Sequence, residues 1–324
     1  GMLEVWPVSS PHPRAKVVAI DTSAALAHPG VVAVLTARDI PGMNDVGAVR
    51  HDETLLAPEG GEVSFVGHMV ALVVAESRDA AKLATKKVNV VYEPLPAVLD
   101  LRAAIAADSF HNTPHVIRRA DAQAALASAP HALAGELEIG GQEHFYLESH
   151  AAWAEWGDDG DVVVTSSTQH PSEVQAVVSH VLHVARSKVV VRAPRMGGGF
   201  GGKETQGNGF AALVALAAKV TQRPVRVQLD RDVDMALTGK RHPFLGRFRV
   251  GFDADGRVLA AVVDLVSDGG WALDLSESIC DRALFHLDNA YYLPAVAFSG
   301  RVAKTNVVSS TAFRGFGGPQ GMVV

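Results

Sequence analysis

Val189-Val190-Val191-Arg192 and Met196-Gly197-Gly198-Gly199-Phe200-Gly201-Gly202-Lys203-Glu204, followed by an alanine-rich run to Lys219, read as strand, glycine loop and helix. Five of the six positions 197–202 are glycine. Inside a regular element glycine costs about 0.5–1 kcal/mol relative to alanine, so such a run implies a backbone that passes close to something. Just before a helix it would offer unpaired N–H groups to an anion, helped by aligned peptide dipoles. A cofactor or phosphate cradle at 197–202 is the leading reading. Close helix–strand packing is the plain alternative. Gly197-x-Gly199-x-x-Gly202 also satisfies the dinucleotide fingerprint, with Asp230 at the end of the next strand as its acid. That fingerprint ordinarily opens the first βαβ unit, with its acid about 20 residues on. Here it follows 196 residues of other sequence, and Asp230 lies 28 beyond Gly202. Glu204 rather than Ser or Thr follows Lys203, which argues against a P-loop.

Upstream of the loop, Val174, Val177, Val178, Val181 and Leu182 share one face of a helix expected over 172–184, opened by Pro171. Strands at 151–156 and 162–165 flank Asp158-Asp159-Gly160 as a hairpin. Strands are also expected at 133–138, 225–229, 248–252, 258–266 and 301–308, with Asp253–Gly256 as a turn. Asp230–Asp232 reads as a polar turn and 271–295 as a mixed segment. Nearer the N-terminus, strands at 16–20 and 31–35 bracket a short helix at 22–27. A β-run over 63–74 crosses Gly67, a helix over 77–86 starts from Ser77 as N-cap, and 88–92 returns as a strand. The domain reading is 1–110, a linker at 111–130, and 131–324, in an α+β fold class.

Composition excludes more than it assigns. A net charge of -6 without a basic patch gives no reason to expect nucleic acid. No apolar run reaches the ~18 residues of a membrane span, and the opening residues are not expected to act as a signal peptide. The single cysteine, Cys280, excludes an internal disulfide or a Cys-ligated cluster and fits a reducing, cytoplasmic setting. His144 and Glu148 stand four apart beside Glu143, but Gln142–Leu147 is aromatic and β-like and offers no third ligand. Metal ligation by side chains is therefore not expected there.

Further blocks carry a resemblance. Gly140-Gly141-Gln142-Glu143-His144-Phe145-Tyr146-Leu147-Glu148, Ser167-Thr168-Gln169, Arg195–Glu204, Arg241-His242-Pro243-Phe244, Arg282-Ala283-Leu284-Phe285-His286 and Thr311–Gln320 occur in that order. Together they resemble the molybdenum-binding part of the xanthine dehydrogenase and aldehyde oxidase family. Residues 1–110 resemble its α/β-hammerhead domain, and 131–324 its first molybdopterin-binding domain, of mixed α/β structure. The resemblance implies a molybdenum hydroxylase in which a Mo–OH attacks a ring carbon of hypoxanthine- or xanthine-type purines, the metal being held by a pterin dithiolene.

By the same resemblance, Gln169 hydrogen-bonds the molybdenum oxo group, Phe200 and Gly201 pass beside the metal, and Arg314 belongs to a second cofactor-side loop. Glu204 hydrogen-bonds the purine, Arg282 opposite it offsets charge developing on the ring, and Phe316 stacks on the substrate. Glu204 and Arg282 together imply a purine rather than an aldehyde. The family's general-base glutamate lies in a later domain, and relatives have another strand ahead of Leu3–Lys16. A fragment at both ends is therefore expected. Such a chain would bind molybdopterin weakly or not at all in isolation and would not turn over xanthine. Its expected partners are a C-terminal molybdopterin domain and an iron–sulfur/FAD domain or subunit carrying 2Fe-2S and FAD. Surfaces left exposed would favour a homodimer. Two alternatives stand beside this: a non-catalytic remnant or interaction protein keeping the fold, and a dinucleotide-binding oxidoreductase.

Overall fold

The computed structural model describes residues 1–324. In chain order it opens with β1 (Leu3–Ser9), β2 (Ala15–Asp21), α1 (Ser23–Leu26), β3 (Val31–Thr36), β4 (Glu62–Val63) and β5 (Met69–Ala75). Next come α2 (Arg78–Thr85), β6 (Asn89–Pro94), α3 (Leu101–Ala106), β7 (His115–Arg119), α4 (Ala122–Ser128) and β8 (His131–Ile139). The middle comprises β9 (Ala151–Trp156), β10 (Val162–Ser166), α5 (Pro171–Leu182), β11 (Val189–Arg192), α6 (Gly207–Thr221), β12 (Val225–Gln228) and α7 (Arg231–Leu237). The chain closes with β13 (Phe244–Phe252), β14 (Val258–Asp268), α8 (Ser276–Leu284), β15 (Val296–Ala303) and α9 (Gly318–Val323).

These elements form two compact units. The first comprises 1–97, 144–239 and 306–308; the second comprises 98–143, 240–305 and 309–324. Unit 1 is built on a seven-stranded sheet ordered β11-β10-β9-β12-β1-β5-β3. Successive strand residues face opposite sides, and the two sides bury different cores. Leu3, Val5, Leu72 and Val74 join α5 and α6 on one side. Trp6, Val8, Val70 and Val73 join α2 and the small sheet β4-β2-β6 on the other. A sheet covered on both faces needs apolar residues at both parities, which Met69–Ala75 supplies. Pro7 is tolerated in β1 because β12 pairs only with Leu3 and Glu4, leaving that edge open beside the proline.

Unit 2 carries the sheet β7-β15-β14-β13-β8. One face packs on α8 through Phe244, Val263, Leu265, Ile279 and Leu284. The other receives α3 through Leu101 and Ala104, and α4 through Ala122 and Leu126. β14 and β15 run parallel, so the chain must cross over between them, and α8 is that crossover.

Several readings change here. The run 63–74 divides at Gly67, which adopts φ +113°, so β4 and β5 belong to different sheets. The turn at 230–232 is the start of α7, and the mixed segment 271–295 contains α8. Residues 111–130, read as a linker ending in a short helix at 122–129, carry that helix as α4 and add the unexpected strand β7. The last strand lies at 296–303 rather than 301–308.

Candidate functional site

The glycine loop leaves β11 and turns back before α6. That helix starts at Gly207, five residues past Gly202, so 197–202 is not its N-terminus. Three of the six N–H groups at 197–202, those of Gly197, Gly201 and Gly202, already have acceptors within the chain. Gly202 donates to the Gly199 carbonyl (2.8 Å) and Glu204 to that of Gly201 (3.2 Å). Gly197 donates to Glu148 (2.8 Å), and Gly201 and Lys203 donate to Gln169 (2.9 and 3.3 Å). The cradle at a helix N-terminus is therefore corrected. The glycines are there because neighbours crowd them: a Cβ would lie 2.5 Å from Glu148 Cβ at Gly197, 2.6 Å from Gln169 Oε1 at Gly199, and 2.7 Å from the His144 ring at Gly202. Phe200 and Gly201 turn the loop at φ +54° and +102°, and the Phe200 side chain is exposed.

Gln169 follows β10 and is exposed. Its amide oxygen faces two backbone N–H donors, which fixes which end of the amide is which. The NH2 end is therefore turned away from the loop as a neutral donor. Beside it, Glu204 is half-buried and adjoins His170 and Glu173. Burial raises its pKa, nearby Glu173 adds to that, and His170 opposes it. Glu173 is itself held by His170 (3.2 Å) and by Asn208 Nδ2 (2.8 Å).

Two buried networks hold this arrangement from below. Lys203 is fully buried, its ammonium donating to Glu148 O (2.8 Å), Glu148 Oε2 (3.1 Å) and Ser167 Oγ (2.7 Å). Burial works to raise the Glu148 pKa, but hydrogen bonds from Ser167, Gly197 and Lys203 hold it below the ordinary value. In the second network, buried Asp234 of α7 accepts from Tyr146 Oη (2.6 Å) and from the His150 N–H, with His150 Nδ1 at 3.1 Å. Burial alone would raise its pKa; those bonds and the His150 charge pull it well below the carboxylate range. The stretch 142–147 is thus irregular rather than β-like, with Phe145 at φ +49°. Sequence reasoning missed Lys203, Ser167 and Asp234. A lysine inside a glycine run, with a Ser-Thr-Gln tripeptide after a strand, was the available signal. Asp230, the acid of the dinucleotide reading, is taken up by Arg78 and Lys82.

In unit 2, α8 carries Arg282, exposed in its last turn. The segment 313–321 packs directly on α8. A Cβ on Gly317, at φ +88°, would lie 2.0 Å from the Ile279 carbonyl oxygen, and one on Gly321 2.1 Å from that of Ala283. Phe316 sits at φ +49° against the apolar cluster that includes Ile279 and Leu284. Arg314 is exposed, its carbonyl accepting from Arg241 (2.9 Å), whose guanidinium lies over the Phe313 ring at 3.8 Å. The structure therefore groups Gln169, Phe200, Gly201 and Glu204 within unit 1, and Arg282, Arg314 and Phe316 within unit 2.

Residues 107–324 match the molybdopterin cofactor-binding domain, and residues 5–96 match the a/b hammerhead domain of aldehyde oxidase and xanthine dehydrogenase. The chain belongs to the xanthine dehydrogenase and aldehyde oxidase family. It is 46% identical over 318 residues to the xanthine dehydrogenase/oxidase of Felis catus, covering 98% of this chain and 24% of that protein. Identity to xanthine dehydrogenase 1 of Arabidopsis thaliana is also 46%, over 322 residues, covering 98% of this chain and 23% of the relative. The chain thus spans about a quarter of these relatives' length. Among solved structures, the aldehyde oxidoreductase of Desulfovibrio gigas matches with TM-score 0.93 and 30% identity, covering 99% of this chain and 37% of that one. Quinoline 2-oxidoreductase of Pseudomonas putida matches at 0.86, also with 30% identity, over 98% of this chain and 42% of that one. The fold is accordingly the α+β arrangement of this family, a hammerhead region followed by a mixed α/β molybdopterin-binding region.

Proposed function

We propose that this chain forms part of a molybdenum hydroxylase acting on oxidised purines, contributing contacts to both cofactor and substrate. The observation that carries the reading is Gln169: with its oxygen fixed by Gly201 and Lys203, it presents a neutral N–H donor beside the backbone turn at Phe200 and Gly201. Such a donor suits an oxo oxygen that must be held without being protonated. When bound, the cofactor supplies the two-electron oxidation and the transfer of oxygen to the substrate carbon. Gln169, the Phe200–Gly201 backbone and Arg314 would hold it.

On the substrate side, Glu204 is half-buried, burial raises its pKa, and its carboxyl makes no ion pair, so it is suited to hydrogen-bond the ring. Arg282 provides a guanidinium to offset negative charge on the ring, and Phe316 an aromatic face. Glu204 orients the substrate; the proton-abstracting base is assigned to the further polypeptide of the enzyme, as are the 2Fe-2S and FAD groups that would carry electrons away. The curated relatives named xanthine dehydrogenase support the purine assignment over the aldehyde one.

The test is kinetic, on an enzyme assembled from this chain and the rest of its family complement. Xanthine hydroxylation should fall by roughly 10²–10⁴-fold in kcat/KM in Glu204→Ala and in Arg282→Ala, while an aromatic aldehyde loses far less. Equal loss on both substrates would remove the purine assignment.

A further inference from the structure

We propose that Lys203 and Glu148 are positioning residues: their ion pair clasps both ends of the glycine loop and thereby sets the direction in which the Gln169 amide points. The loop begins at Gly197 and ends at Lys203, and both ends meet one carboxylate. Glu148 Oε2 accepts the Gly197 N–H (2.8 Å) and the Lys203 ammonium (3.1 Å), and the Glu148 N–H returns to the Gly197 carbonyl (3.1 Å). Ser167 closes the ring, accepting from Lys203 (2.7 Å) and donating to Glu148 (2.7 Å). The three ammonium protons therefore meet three oxygens, and Tyr146 covers the charge, its ring centroid 4.5 Å from Nζ.

The same lysine grips the segment that carries Gln169. Its carbonyl accepts the Gln169 N–H (2.8 Å) and Thr168 Oγ1 (3.3 Å), and its own N–H donates to Gln169 Oε1 (3.3 Å). Lys203 is fully buried and Glu148 one-third exposed; such a pair is weak evidence of net stability, since desolvation offsets attraction, and fixing a unique arrangement is a role it can serve. Here the pair fastens an otherwise glycine-rich backbone with few side chains of its own to pack. Removing the charge should loosen the loop ends and let the amide turn, while the helices and strands stay in place.

The significance of Gln169 rests on the reading proposed above, but the test does not. In the full 324-residue chain without cofactor, the side-chain amide pair of Gln169 is assigned from its loss in Gln169→Ala. In Glu148→Gln and Lys203→Met that pair should shift or broaden while the other glutamine pairs stay. Amide exchange at Gly197, Gly201 and Lys203 should rise about 10–100-fold, with α6 and β10 unchanged. If Lys203→Met does not fold, Glu148→Gln decides. An unmoved Gln169 pair in a folded variant overturns the proposal, as does exchange rising uniformly through unit 1, or failure of both variants to fold. Failure of the cofactor reading would appear separately, as full molybdenum content and turnover in an assembled enzyme carrying Gln169→Ala.

Discussion

Asp234 is a buried charge surrounded by donors, and its behaviour with pH follows from that. Its pKa is depressed in the fold, so the stability it contributes is present above the ordinary value of 3.8 and is lost as pH falls below it. Replacing it with Asn should cost about 3 kcal/mol in urea unfolding, because Tyr146 and His150 lose a charged acceptor inside the core. Histidines act at higher pH. His68 accepts the Ser64 N–H at Nδ1 (3.2 Å) and contacts the Thr54 carbonyl through Nε2 (3.1 Å), so it is neutral in the fold. Burial lowers its pKa from 6.5 to about 4, and burial lowers that of His242 to about 3. The unfolded chain thus binds more protons between pH 6.5 and 4, and stability should fall as pH drops through that window, by about 3 kcal/mol for His68. In His68→Gln the slope should shrink; an unchanged slope would show that His68 is not the titrating group. Such residues were hard to foresee. His68 and Asp234 follow no motif, because burial and partners, not neighbours in sequence, make them matter.

At the scale of elements, periodicity was legible wherever one face of an element is buried. The valine stripe of α5 and the Ser77 cap of α2 appear as expected, the Ser77 hydroxyl accepting from Ala80 N–H at 3.2 Å. The hairpins β9–β10 and β13–β14 also form as their Asp/Gly turns imply. β7, α7 and α8 were not legible. His115–Arg119 is polar and short and pairs only through distant β15, and Arg231–Leu237 begins with three charges in four residues that resemble a turn. The glycines of 315–321 were visible as a patch, but their reason is a docking onto α8 that only the fold supplies. That docking is testable. Gly317→Ala combines a Cβ 2.0 Å from a carbonyl oxygen with a left-handed backbone, so the 313–321 segment should detach from α8, at a cost above about 2 kcal/mol. Hydrogen exchange should report it first at Phe316 and Gly318; protection equal to the parent would refute direct packing. In the core, Leu216→Ala on α6 should cost about 2–5 kcal/mol, since that side chain is buried at 1% exposure.

For the whole molecule, the family and fold follow from both halves of the sequence, and no helix is long and apolar enough to cross a membrane. Phe285, Tyr291 and Met322 line one groove of unit 2, with Phe285 and Tyr291 72% and 74% exposed, and Tyr292 is 79% exposed. Apolar surface of this kind marks an interaction face, and we expect the remaining molybdopterin-binding polypeptide to cover it. The isolated chain should therefore self-associate in sedimentation velocity, and Tyr291→Asp with Tyr292→Asp should lessen this; a monomeric parent chain would argue against it. The function proposed above assigns Glu204 and Arg282 to one purine. A diffraction structure of the assembled enzyme with hypoxanthine bound tests it most directly. The ring should stack on Phe316, hydrogen-bonded to the Glu204 carboxyl on one side and facing the Arg282 guanidinium on the other. Hypoxanthine bound away from both residues, or touching only one of them, would contradict it.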